Sequence, residues 1–204
     1  MKNVNYNMAF VAASLMVRET VIIAEQFILH RDWVIVRNTV LSKNLLQART
    51  VSTGNRIYRE IAFRLQTLAI SELQALISAA EKDKACYVWL AVCRRHLFIA
   101  EFVKEIIHVH IESMDPKLEY EDFDSFFNKK AQWNQELECM ATSTRKKIRQ
   151  VLFRMLREAD FLTKDNSINM SAISPVFLRS IFENNPEELL LFPVSPQLAA
   201  EYKR

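Results

Sequence analysis

Glycine occurs once in 204 residues, at position 54, and proline five times. Sheets and hairpins draw on both residues for their turns, so their scarcity argues against a β-rich fold, while abundant Leu, Ile, Ala, Glu, Arg and Lys favours helix. The expected class is all-α. Only three cysteines are present, Cys86, Cys93 and Cys139, and no two stand in a C-x-x-C pair. That excludes a thiol redox motif and a cysteine-rich metal site, and it fits buried free thiols in a reducing, cytoplasmic setting. No glycine-rich phosphate loop, G-x-S-x-G elbow or Cys/His nucleophile pattern is present, so the common signatures of nucleotide and acyl-transfer enzymes are missing.

Long apolar runs are also missing. Residues 8–17 are apolar apart from Ser14, but Arg18 and Glu19 follow, and no small-residue cleavage pattern marks a leader. Residues 85–103 are interrupted by Arg94, Arg95, His96 and Glu101, well short of the about 20 apolar residues that span a bilayer. No membrane partner is expected. Half of the residues are hydrophobic, enough to bury a core in one or two domains.

Charge is scarce in net terms, +3, yet unevenly placed. Residues 143–157 hold six Lys or Arg and no acid, whereas residues 112–124 hold six acids and one Lys. The pattern Ser-Thr-x-x-basic-Ile occurs twice, as Ser52-Thr53 with Arg56-Ile57 and as Ser143-Thr144 with Lys147-Ile148. Ser or Thr before a helical run reads as an N-cap, so a basic helix is expected to start at each pair. A helix N-terminus with added cations is an anion site, and the nucleic-acid backbone is the commonest large anion for it. Ile61 and Leu65 of the first copy fall on Leu152 and Leu156 of the second, which is consistent with a duplication or with shared amphipathicity.

Helical periodicity predicts helices over residues 8–29, 33–46 with Asp32 as cap, 52–68, 72–80 and 85–111. Pro116 and its acidic neighbours mark residues 112–124 as the expected junction between an N-terminal domain, 1–111, and a C-terminal domain, 125–204. In the second half, a helix over 126–140 and a short turn precede the basic helix, the outline of a helix-turn-helix. Residues 163–170 read either as a small wing carrying Lys164 or as a plain loop. A helix over 175–183 and an apolar tail, 189–192, close the chain, the tail suited to packing on a neighbouring domain or subunit.

On a helical wheel Ile148, Val151, Leu152, Met155, Leu156, Ala159 and Leu162 form the core face of the second basic helix. Lys146, Lys147, Arg149, Arg154 and Arg157 lie opposite, with Gln150, Phe153 and Phe161, and lack the Glu-to-Lys pairs that balance ordinary surface helices. The unmatched charge calls for nucleic acid, for the acidic segment 112–124 folding back, or for an acidic protein partner. Lys43, Arg49, Arg56, Arg59 and Arg64 form a weaker cluster opposed by Glu60 alone. Gly54 there reads as a point of close backbone approach or a tolerated surface glycine.

The metal candidates are thin. Glu105 and His108 form one Glu-x-x-His beside His96, Glu101 and His110, but a di-metal bundle needs two copies. Glu119, Glu121, Asp122 and Asp124 resemble a nuclease acid cluster only in composition, and solvated charge is the simpler reading. Neither metal, cofactor nor catalysis is expected.

Several separated stretches carry a family resemblance: Trp33; Asn44 to Thr50 with Ser52, Thr53 and Arg56; Glu60-Ile61 with Arg64-Leu65; Trp89 to Cys93 with Glu101-Phe102; and Ser143-Thr144 through Arg149 to Ala159. Together they resemble the BrxA family of the BREX bacteriophage-resistance systems, over about residues 6 to 183. The resemblance implies a small all-helical, non-enzymatic component of a multi-protein defence system, partnered by double-stranded DNA and by other system components. Its basic surface would fall on Arg49, Arg56, Arg59, Lys146, Lys147, Arg149, Arg154 and Arg157, with Ser52, Thr53, Ser143 and Thr144 at the helix starts. Asp160 stands where Gly is expected, a turn that Asp tolerates better than most residues. The alternatives left open are a scaffold for acidic partners and an RNA binder, although no RNP-type aromatic motif is present.

Overall fold

The computed structural model describes residues 6–195. Helices dominate, and among the described residues no strand forms, only two isolated antiparallel bridges. The described residues make two compact units, Ala12–Arg95 and a second one built from residues 6–11 with 96–195. The chain therefore passes between units at Arg95/His96, whereas residues 112–124, the expected junction, lie inside the second unit. Leu118 explains why: it is fully buried, and its backbone N–H donates to the Asn166 carbonyl at 2.9 Å.

The inserted unit contains α1 (Val17–His30), α2 (Trp33–Ser42), α3 (Val51–Leu65), α4 (Ile70–Ser78) and α5 (Glu81–Arg95). The first helix starts later than its periodicity suggests because Met16 adopts a left-handed conformation, φ 55°. Arg64 on α3 closes that entry. Its guanidinium is fully buried, pairs with Glu60 at 2.9 Å, and donates to the carbonyls of Ser14 at 2.8 Å and Ala13 at 3.2 Å. Arg64 is thus a structural cation and leaves the basic cluster. Asp32 caps α2 as expected, accepting from the backbone N–H of Val34 and Ile35. Glu72 accepts from the Ala69 backbone N–H at the start of α4 and forms a bidentate pair with Arg94 of α5, both contacts at 2.7 Å. The core of the unit gathers Ile23, Val36, Val40, Ile61, Leu65, Leu76 and the one fully buried tryptophan among the described residues, Trp89.

The second unit begins with α6 (Leu97–Phe102), a π-turn over Val103–Ile107 and α7 (His108–Glu112). The long helix expected over 85–111 is broken at His96, which is fully buried, with Nδ1 3.0 Å from the Asn7 carbonyl oxygen and its ring edge-on to Phe10. The helix expected over 126–140 is likewise two: α8 (Tyr120–Ala131) and the single turn α9 (Gln135–Glu138), separated by Asn134, whose side chain caps α9. Next come α10 (Thr142–Glu158) and α11 (Pro175–Asn184), the latter capped by Ser174. Phe98, Phe102, Phe123, Phe126 and Phe127 pack edge-to-face at the centre. The apolar tail packs within its own unit: Phe192 meets Phe161 and Phe177, and the Leu190 carbonyl oxygen lies 3.1 Å from His108 Nε2.

Between α7 and α8, and again after α10, the backbone extends. Ser167 bridges Lys117, and Ile168 bridges Leu162, so two short segments flank a turn at residues 163–167. The turn is tied by Thr163 N–H donating to the Ser167 carbonyl at 2.9 Å, and Ile168 N–H to that of Pro116 at 2.7 Å. Asp160, at the exit of α10, has φ 61°, the left-handed conformation expected there.

Candidate nucleic-acid interface

Both basic helices exist, but neither starts on its expected cap. Thr50 caps α3: it is extended, and its Oγ1 accepts from the Thr53 N–H at 3.1 Å, which places Ser52 inside the first turn. Ala141, without a side-chain cap, precedes α10; its carbonyl already accepts from the Arg145 N–H at 3.0 Å, so Thr142, Ser143 and Thr144 all lie in the exposed first turn. The Ser-Thr pairs therefore line helix starts rather than cap them. Gly54 is buried in α3, facing Ala48 and Leu41, and has no positive φ, so it is neither a surface glycine nor a strained turn.

The face of α10 divides its cations in two. Arg145 donates from Nε to the Asp124 carboxylate at 3.1 Å and from Nη2 to the Asp124 carbonyl at 2.8 Å, and its guanidinium rests 4.7 Å from the Phe127 ring centroid. Arg149 binds the other oxygen of the same carboxylate and lies 4.6 Å over the Tyr120 ring. Arg157 donates to the Asn166 side chain. The acidic segment thus folds back on Arg145 and Arg149, through a single aspartate at its end. Lys146, Lys147 and Arg154 remain exposed, and no hydrogen bond or ion pair of their side chains is present among the described residues. Phe153 and Phe161, assigned to the polar side by the wheel, are buried; Phe153 packs edge-on against Tyr120, 4.8 Å between centroids.

At the turn beyond α10, Lys164 is exposed beside Asp165. Hydrogen bonds from the Thr163 and Ser167 hydroxyls hold the Asp165 carboxyl below its ordinary range, so the tip carries one charge of each sign.

In the inserted unit Arg49, Arg56 and Arg59 are exposed. Arg56, Arg59 and Ser52 line a groove of about 900 Å³ between α2 and α3, together with Trp33 and Phe63. The sequence reading missed this groove, because the pairing of α2 with α3 is what assembles it. Asp124 belongs to the acidic segment expected to fold back as one alternative, but Asn128, which accepts from Arg145 Nη1 at 2.6 Å, does not; the spacing of four between Asp124 and Asn128 matches that of Arg145 and Arg149, a signal visible in the sequence only once the two helices are known to touch.

Several of the residues weighed for metal or acid-base chemistry have structural partners. Burial alone would raise the Glu105 carboxyl, but hydrogen bonds from Lys130 and Lys129 bring it below its usual range. Lys130 Nζ lies 2.6 Å from Glu101, whose other contact is the Tyr6 hydroxyl at 2.6 Å. Burial and that hydrogen bond push the Tyr6 hydroxyl well above its ordinary range. His110 contacts Asp122 at 3.2 Å. No group of three or more His, Cys, Asp or Glu among the described residues is placed to hold a metal ion, and no helix among them is long and apolar enough to cross a membrane.

A family model described as BrxA matches residues 4–185. Among curated proteins, the BREX protein BrxA of Escherichia coli O9:H4 (strain HS) is 23% identical over 159 residues, covering 78% of this chain and 75% of that protein. Among solved structures, a crystal structure of an uncharacterized protein from Magnetospirillum magneticum superposes with a TM-score of 0.78, covering 93% of this chain and 98% of that one at 19% identity. That likeness concerns the fold alone.

Proposed function

This chain belongs to the BrxA family, and from that premise we propose that it is a DNA-binding, non-enzymatic accessory protein of a BREX phage-defence system. Membership supports the defence role and the other system components as partners. The observation that carries the DNA reading is the exposed trio Lys146, Lys147 and Arg154 on α10, whose side chains make no hydrogen bond or ion pair among the described residues. The order of elements adds to it: helix, extended segment, α8, α9, α10, then a bridged turn, the order of a winged helix-turn-helix whose recognition helix is α10. Ser143 and Thr144 in the exposed first turn offer hydroxyls and backbone N–H groups to a phosphate. Arg145 and Arg149, pinned by Asp124, contribute positive field rather than free donors, as does Arg157. The ring beside these charges, Tyr120, is engaged by the Arg149 guanidinium and by Phe153, which favours backbone contact with duplex DNA and little sequence preference.

Fluorescence anisotropy with a 30-base-pair duplex over a salt series tests this. Replacing Lys146, Lys147 and Arg154 by Ala should weaken binding alike for unrelated sequences and flatten the plot of log affinity against log salt by about 2 to 3. Unchanged affinity and slope would remove α10 as the contact surface.

A further inference from the structure

The groove between α2 and α3 has a composition that duplex DNA does not reward. Its apolar wall includes Val34, 67% exposed, and Phe63, 41% exposed, with Ala62 beneath. Arg37, Arg56 and Arg59 border it, and no Asp or Glu lines it. Asp32, next to the groove residue Trp33, is engaged in capping α2. The groove is also preformed: Trp33 stacks on Phe27 with centroids 4.1 Å apart, the Tyr58 hydroxyl donates to the Trp33 carbonyl at 3.0 Å, and Arg37 Nη2 donates to the Asn55 side chain at 3.2 Å, tying α2 to α3.

An exposed aliphatic group such as Val34 gains from burial against an apolar ligand, and the phosphate ridge of a duplex presents none. Arginine forks at the border match carboxylates in bidentate geometry. A groove of about 900 Å³ lies within the range that buries side-chain anchors. We propose that this groove docks an acidic amphipathic helix of a partner protein, its apolar anchors at i, i+3 or i+4, and i+7 seated on Val34 and Phe63 and its flanking Glu or Asp on Arg37, Arg56 and Arg59. This goes beyond DNA binding, and it gives Arg56 and Arg59 a task separate from the face of α10.

The probes are three fluorescein-labelled 16-residue helical peptides with Leu or Phe anchors at those spacings and Glu at the flanks, together with Lys-for-Glu copies, titrated against the full chain. At least one Glu peptide should bind saturably and the Lys copies should not. Val34→Asp and the double variant Arg56→Glu/Arg59→Glu should each weaken the Glu peptide at least tenfold, and the double variant should now accept a Lys copy. Circular dichroism confirms that the variants fold, as their exposed positions lead one to expect. A 30-base-pair duplex in excess should leave the peptide bound. The proposal is overturned if no Glu peptide binds saturably, if binding ignores the groove variants, or if the duplex displaces the peptide while the variants lose duplex affinity, since the groove would then serve nucleic acid. Variants on α10 test the DNA reading separately, so either reading can fail alone.

Discussion

The Asp124 carboxylate binds Arg149 Nη1 with one oxygen while Arg145 holds the other, so a single acid occupies two of the cations on the face proposed for phosphate. Rings under both guanidinium groups, Phe127 and Tyr120, keep them in place without the acid. Asp124→Asn therefore removes an opposing charge while leaving an acceptor of similar shape. Duplex affinity at low salt should rise about three- to tenfold, and the salt slope should steepen by about 1. If Asp124 instead serves to aim the arginines at the phosphates, the same anisotropy titration shows affinity falling.

The pair Arg64 and Glu60 is a second case of charge held inward. With Arg64 fully buried and Glu60 nearly so, removing the carboxylate takes a close counter-charge from a guanidinium held out of water. Glu60→Leu should cost about 3–5 kcal/mol in urea denaturation, the range for breaking a buried pair. Glu60→Gln keeps an acceptor and should cost less.

The contrast between these cations and Lys146 or Arg56 marks how far the sequence could be read. The scarcity of glycine and the 3.6-residue periodicity made the helical class and most helices legible, because both depend on local chain chemistry. Arg64 and Arg59 look alike in sequence, spaced five apart on one helix. Only the packing of α3 on the entry to α1 sends one inward and leaves the other exposed. The break at His96 was illegible for a related reason: nothing local forbids helix there, and the contact of the buried ring with the Asn7 carbonyl stabilises the interruption. The break at Asn134 rests instead on a local cap, its side chain accepting from the Leu137 N–H at 3.0 Å, a signal that unbroken helical periodicity across the site masked. The basic face of α10 was legible from the wheel, but the share of it consumed by Asp124 was not.

Gly54 offers a test of a residue whose singularity invites a functional reading. A Cβ built there would lie 3.4 Å from Ala48 Cβ and 3.7 Å from Leu41 Cδ2, ordinary contact distances. Alanine also forms helix more readily than glycine by about 0.5–1 kcal/mol. Gly54→Ala should stabilise the inserted unit by up to that amount in thermal or urea unfolding, with duplex affinity unchanged. Lost affinity with gained stability would instead show that a ligand approaches the backbone at this point.

His108 predicts how stability responds to acid. Burial lowers its tendency to protonate, outweighing the carbonyl of Leu190 3.1 Å from Nε2, so its folded value lies below the ordinary 6.5 of the unfolded chain. Between those two values the unfolded chain binds a proton that the folded chain does not. Stability linked to this group is therefore full above about pH 6.5, falls as the pH drops through that value, and levels off once the folded form protonates too. Thermal melts at half-unit steps from pH 8 to 5 should show the midpoint declining below about pH 6.5, before the carboxylates titrate. His108→Gln retains a donor for the Leu190 carbonyl and cannot take up the proton, so its midpoint should stay flatter across the same window. A decline in the glutamine variant equal to that of the parent chain would assign the acid sensitivity to another group.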